Sequence, residues 1–358
     1  MTQDFPEMYR VLSAIHRVDP KFIAEAQGRL GSLTKPIGSL GRLEAIAAQM
    51  FSIFSGVIPA PLRRAVYVFA ADHGITAEGV SAYPSEVTAQ MVQNFLHGGA
   101  AINVLARLHD ADLTVVDVGV KADFDDSPGL CRMKVRPGSR NMRREPAMTR
   151  EEMCAALNVG IRLAQAAAKR GENLVAVGEM GIGNTTPASA ITSLLVQQPV
   201  AEVTGRGAGL DTDGRNRKLN VIRRSIKLHF GLESNPEPLE ILRCVGGLEI
   251  AAMTGFFLSA AACRIAVVCD GFISTVAAAV AQALCPQVCD YLFAGHCSEE
   301  PGHRFLLRKL GLTPILSLGM RLGEGTGAVL AMPLIESSIR LMTEMATFST
   351  AGVSGVTR

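Results

Sequence analysis

The sequence predicts an α/β protein: a parallel sheet covered by helices, with a small helical domain made from the two chain ends. Three observations lead there. Several runs of about four to eight residues are mostly aliphatic instead of alternating, as expected of strands buried on both faces. Each runs into a glycine-containing turn and then a helix-like pattern, the βα alternation that builds parallel sheets. Polar residues gather at or just beyond the ends of these runs: Asp72, His73, Glu179, Asn184, Asp270, His296, Ser298 and Glu324. In open α/β sheets ligands bind outside the carboxyl ends of the strands, so these turns are where function is expected.

In chain order, the expected strands are Ala65–Ala71 before Asp72-His73-Gly74, Leu113–Val118 before Gly119, and Leu174–Val177 before Gly178-Glu179-Met180-Gly181. Ile265–Cys269 follows, before Asp270-Gly271, then Tyr291–Ala294 before Gly295-His296-Cys297-Ser298, and Pro314–Leu318 before Gly319. A C-terminal helix should start near Thr326 and reach about Thr347, bent or restarted by Pro333. Residues 31–334 form the expected large domain; residues 1–30 and 335–358 form the small one.

The stretch Leu248–Cys285 competes as a membrane span. Arg264 and Asp270 interrupt it, and no uncharged run of the ~18 residues needed remains, so it reads as a buried helix, strand and helix. With 48% hydrophobic and 19% charged residues, the chain has the composition of a well-buried globular protein. A formal net charge of +2 gives no support for nucleic-acid binding. The Arg136–Arg144 cluster reads as a solvated loop. Eight cysteines, no recognisable signal segment and a chain large enough to fold without staples point to reduced thiols in a cytoplasmic protein.

Three glycine-rich turns could carry chemistry. In Gly178–Pro187 backbone N–H groups could approach an anion while Thr185 or Thr186 caps a helix beginning near Ala188; a plain strand–helix turn is the alternative. Thr204–Asp211 places Arg206 among glycines with Lys218 beyond it, either a monophosphate site or a surface loop. In Leu322–Gly327 one carboxylate, Glu324, stands between glycines at a helix start. From spacing alone it is either a first-turn charge or a general base. His296 and His303 raise the question of a metal, but no HExxH or paired CxxC accompanies them, and Pro301-Gly302 should break the helix that would align ligands. No GxSxG elbow is present for a serine nucleophile.

Seven ordered segments carry a stronger signal: LTKPIGSLGRLE (Leu33–Glu44), ADHGITAEGVSAYPSEVTAQM (Ala71–Met91), GEMGIGNTT (Gly178–Thr186), TGRGAGLD (Thr204–Asp211), GGLEIAAMTG (Gly246–Gly255), HCSEEPGH (His296–His303) and LGMRLGEGTGA (Leu318–Ala328). Together they resemble the nicotinate-nucleotide–dimethylbenzimidazole phosphoribosyltransferase family across nearly the whole chain. The resemblance implies a Rossmann-like sheet domain, a small helical domain and a homodimer. It implies transfer of the 5-phosphoribosyl group of nicotinate mononucleotide to 5,6-dimethylbenzimidazole, giving α-ribazole 5'-phosphate and nicotinate for the cobalamin nucleotide loop, with no cofactor or metal. On this resemblance Glu324 is the general base, and Tyr83, Gln90, Met180 and Leu322 line the base pocket. Glu179, Gly181, Gly207, Lys218, Ser298 and Arg321 fall where the nucleotide binds. Glu299 departs from the pattern and would add a negative charge at the nucleotide mouth.

Overall fold

The computed structural model describes residues 5–231 and 235–354. Among them, seven strands form one sheet: β1 (Arg64–Ala71), β2 (Ala111–Gly119), β3 (Leu130–Arg132), β4 (Leu174–Met180), β5 (Ala266–Cys269), β6 (Leu292–His296) and β7 (Pro314–Leu316). Their order is β3-β2-β1-β4-β5-β6-β7, and each neighbouring pair is parallel. All six expected strands are present. The additional one, β3, is three residues long at the sheet edge, too short to show as an apolar run.

The direction of strand addition reverses between β1 and β4, creating a crevice at their carboxyl ends. In the β1–β4 register Phe69 lies opposite Glu179 and Ala70 opposite Met180. β4 meets β5 only as far as Val177 and Cys269, so Gly178, Glu179 and Met180 project past that neighbour.

The apolar stretch at 248–285 is a helix (Leu248–Ala262), β5 and a helix (Phe272–Leu284). The first helix lies against β1, with Phe256 ring centroids 5.1 Å from Tyr67 and 5.8 Å from Phe69. Just past its end, Arg264 donates to the carbonyls of Ser52 and Ile53. Protein thus covers the surface that lipid would otherwise have met, and no helix of the described residues is long and apolar enough to cross a membrane.

The C-terminal helix runs Thr326–Glu344 and continues through Pro333. Its end contributes Met342 to a second, smaller apolar cluster with Ala26, Leu30, Leu33, Ala47 and Ala48. The first helix, Pro6–Ala14, instead buries Met8 and Val11 in the main core. Residues 1–4 and 355–358 of the expected helical domain lie outside the described residues.

Three local expectations are corrected. The Arg136–Arg144 loop is built into the fold and is not simply solvated. Arg140 pairs with Glu152, which also closes the capping box at the start of the helix Arg150–Lys169, and Ser139 bridges to His73 beyond β1. Pro301 does not break a helix; it occupies the first turn of the helix Pro301–Leu310, where its missing N–H costs no hydrogen bond. The helix expected near Ala188 begins at Thr185, and neither threonine caps it.

Candidate active site

The β1–β4 crevice opens into a cavity of about 640 Å³, within the size range of small-molecule sites. Loops beyond β1, β4, β5, β6 and β7 all contribute to its wall. The structure brings together Glu324, Tyr83, Met180, Leu322, Glu179, Gly181, Gly207, Ser298 and Arg321 on that wall. The wall extends beyond these residues to Val87, Met91, Phe272 and Ile273, which give it an apolar character in part. Gln90 sits on the helix Val87–Leu96 with its side chain exposed, outside the lining.

Glu324 occupies the turn between β7 and the C-terminal helix. Its φ of +63° is left-handed, and Gly323 and Gly325 on either side have φ of +88° and +87°. Glycines accept this geometry freely; a glutamate held there costs on the order of 1–3 kcal/mol, which the surroundings must offset. One carboxylate oxygen, Oε2, is buried with no hydrogen-bond partner in the protein. Burial pushes the carboxyl above its ordinary range; the backbone N–H of Ile102 opposes this and the nearby Asp270 charge adds to it.

Glu179 faces Glu324 from β4. Burial, with repulsion from Glu249, Asp270 and Glu324, raises it to about 8, although Asn184 donates a hydrogen bond to it. At neutral pH Glu179 is therefore mainly a neutral acid.

The second glycine loop closes the other side. The Gly207 N–H donates to Glu300 Oε1 at 2.9 Å, and the Gly207 carbonyl accepts from Arg321 at 3.0 Å. Lys218 stands one layer behind the wall, fully buried, with Nζ donating to Thr185 Oγ1 at 2.6 Å. Burial lowers its amino group to about 8, with Glu300 opposing and Arg215 reinforcing the shift. The lysine thus holds Thr185, the first residue of the helix Thr185–Val196 and itself part of the cavity wall.

The extra charge expected at Glu299 is directed away from the cavity: that residue is exposed, and Glu300 lines the wall with Oε2 buried and unpartnered. Sequence reasoning passed over Glu300. The signal available was its place before Pro301, at the N-terminus of a helix. His303 does not suit a metal. Its Nδ1 accepts the Ser298 N–H at 2.9 Å and its Nε2 bonds Thr275 Oγ1 at 2.9 Å, which engages both ring nitrogens. Burial lowers His303 to about 3 and keeps it neutral. Its place in this network is to fix Ser298 on the wall.

Comparison with known proteins identifies the family. A phosphoribosyltransferase family model matches residues 15–353. The nicotinate-nucleotide–dimethylbenzimidazole phosphoribosyltransferase of Geobacter sulfurreducens is 54% identical over 344 residues, spanning 96% of this chain and 97% of the relative. That of Geobacter metallireducens is 51% identical over 343 residues, 96% of each. The crystal structure of the enzyme of that name from Thermus thermophilus superposes with a TM-score of 0.89 at 47% identity, covering 94% of this chain and all of the other. The chain belongs to the nicotinate-nucleotide–dimethylbenzimidazole phosphoribosyltransferase family.

Proposed function

We propose that the cavity transfers the 5-phosphoribosyl group of nicotinate mononucleotide to 5,6-dimethylbenzimidazole, releasing nicotinate and forming α-ribazole 5'-phosphate for assembly of the cobalamin nucleotide loop. The observation that carries this reading is the unpartnered Glu324 Oε2, buried in the cavity wall opposite a glycine loop backed by a lysine.

The residues supply what the reaction lacks. In nicotinate mononucleotide the pyridinium nitrogen is already cationic, so its bond to C1′ breaks with the electron pair returning to the ring, and no proton need be added. The benzimidazole is the reluctant partner. Glu324 takes its N–H proton while the opposite ring nitrogen forms the new bond to C1′. Attack opposite the leaving group turns a β- into an α-linkage. Gly207 and the helix start at Thr185, with Lys218 behind them, hold the phosphate; Glu179, Gly181, Ser298 and Arg321 surround the ribose and nicotinate. Tyr83, Met180 and Leu322 form the base side; Gln90, outside the lining, makes no contact with the base in this arrangement. Holding both substrates in one cavity supplies the proximity term.

The protein is read as a cytoplasmic homodimer. Tyr83 and Leu322 line the cavity and are more than half exposed, which suits a second copy covering it. The second apolar cluster joins Ala26 and Leu30 to Met342 and to Ala47 and Ala48 of the helix Arg42–Ile53, which supports a small helical unit that draws on both chain ends but not on the helix Pro6–Ala14.

The test is purified protein supplied with both substrates. Nicotinate and α-ribazole 5'-phosphate should appear in equal amounts, and Glu324→Gln should retain nucleotide binding while turnover falls about 10²-fold or more. Absence of nicotinate release with any benzimidazole overturns the reading.

A further inference from the structure

The left-handed turn that carries Glu324 needs something to hold it, and the helix that follows lacks a cap of its own. Gly325 is the N-cap of Thr326–Glu344 and has no side chain to satisfy the first N–H groups. Those groups are met from another strand. Asp270, directly after β5, accepts the Gly325 N–H on Oδ2 at 3.1 Å and the Ala328 N–H on Oδ1 at 3.0 Å. The Gly327 N–H bonds it as well. Asp270 is 2% exposed, its charge faces the positive end of the helix, and His296 Nε2 stands 3.8 Å from Oδ1.

We propose that Asp270 is a positioning residue for Glu324: by binding the N–H groups of Gly325 and Ala328 with its two carboxylate oxygens, it fixes the strained turn that aims Glu324 into the cavity. This rests on the reading of Glu324 as the general base. Both oxygens are needed because the donors flank the carboxylate from two positions of one turn. An asparagine keeps one acceptor and turns an NH₂ group toward the other N–H.

The groups that bear on Glu324 are Asp270 beyond β5, Glu179 on β4 and the Ile102 N–H at the start of the helix Ala101–Leu108. His296 on β6 bears on Asp270. Removing the Asp270 charge therefore takes away one of the like charges that raise Glu324.

Asp270→Asn and Asp270→Ser, the latter removing the carboxylate without adding an NH₂ group, should be compared with wild type and Glu324→Gln. The expected result is a kcat lowered roughly 10²-fold, the scale of a misplaced catalytic group. The KM for the nucleotide should stay within about threefold, and the acid limb of the kcat–pH profile should move to lower pH. If both Asp270 variants keep kcat and the limb where wild type has them while Glu324→Gln is inactive, the positioning role is overturned and the base assignment stands. If nucleotide affinity and melting temperature fall in step with kcat in both variants, Asp270 is structural only and the proposal fails. If Glu324→Gln turns over normally, the base assignment fails and the proposal with it.

Discussion

The peptide joining Glu324 to Gly325 rests on the Cα of Gly178. A methyl group built on Gly178 would lie 2.6 Å from Gly325 Cα and closer still to Gly325 N and Glu324 C. β4 thus forms the floor under the turn while Asp270 holds it from the side. Gly178→Ala forces backbone against backbone, where no side chain can swing away. It should destabilise the protein by about 1–3 kcal/mol and lower kcat roughly 10²-fold. Urea unfolding and steady-state kinetics measure both; an unchanged kcat would mean that the floor does not set the turn.

Lys218→Met keeps the length of the side chain and removes its charge. Nucleotide affinity should fall about 10–100-fold while kcat at saturation changes less, because the loss concerns binding and not proton transfer. The wild-type amino group titrates at about 8 in the free protein, well below its unfolded value near ~10.4. Between those values the unfolded chain binds the proton and the folded one does not, so wild-type stability should rise with pH relative to that of the Lys218→Met variant. Calorimetric titration with nicotinate mononucleotide should show wild-type affinity declining above pH 8 and a flatter profile in the variant.

Glu179 gives the opposite sign. Its folded value of about 8 exceeds the unfolded value of ~4.3, so the folded protein holds a proton that the unfolded chain has released. The stability this contributes is complete below the unfolded value and is lost as pH rises through about 8. Glu179→Gln should therefore gain on wild type by a few degrees in melting temperature between pH 5 and pH 9, measured without substrates. A constant difference across that range would refute the buried neutral acid.

Tyr83 lines the cavity with half its surface exposed, on the side proposed above for the base. Tyr83→Ala should raise the KM for 5,6-dimethylbenzimidazole roughly tenfold, the scale of a lost aromatic contact, and leave the KM for the nucleotide unchanged. Initial rates with each substrate varied in turn separate the two. An effect confined to the nucleotide would move Tyr83 to the other half of the site.

His303 tests the network behind the wall. His303→Phe removes the acceptor for the Ser298 N–H and the partner of Thr275, leaving buried polar groups unpaired. It should cost about 1–3 kcal/mol of stability and raise the KM for the nucleotide through a displaced Ser298. Metal chelation should leave wild-type turnover unaltered.

The sheet was legible because its strands are buried on both faces, and burial on both faces leaves continuous apolar runs such as Ala65–Ala71 and Leu174–Val177. The edge strand Leu130–Arg132 pairs with one neighbour only and carries Arg132, so it left no such mark. Glu324 stood out in its glycine turn, yet spacing could not separate a helix-start charge from a base; the resemblance to a family implied the base, and Glu324→Gln tests it. The helix start at Thr185 was misjudged because its threonines look like caps, whereas Thr185 answers to Lys218, distant in sequence.

By itself the sequence determined the α/β architecture, the placing of polar residues at strand ends and the family, because each is written in local pattern or in ordered segments. Only the tertiary structure decided which carboxylates meet. Glu179, Asp270 and Glu324 come from three different segments, and their burial and mutual repulsion exist only once the sheet has brought those segments to one crevice. Proton affinity depends on surroundings through space, and no spacing along the chain records it.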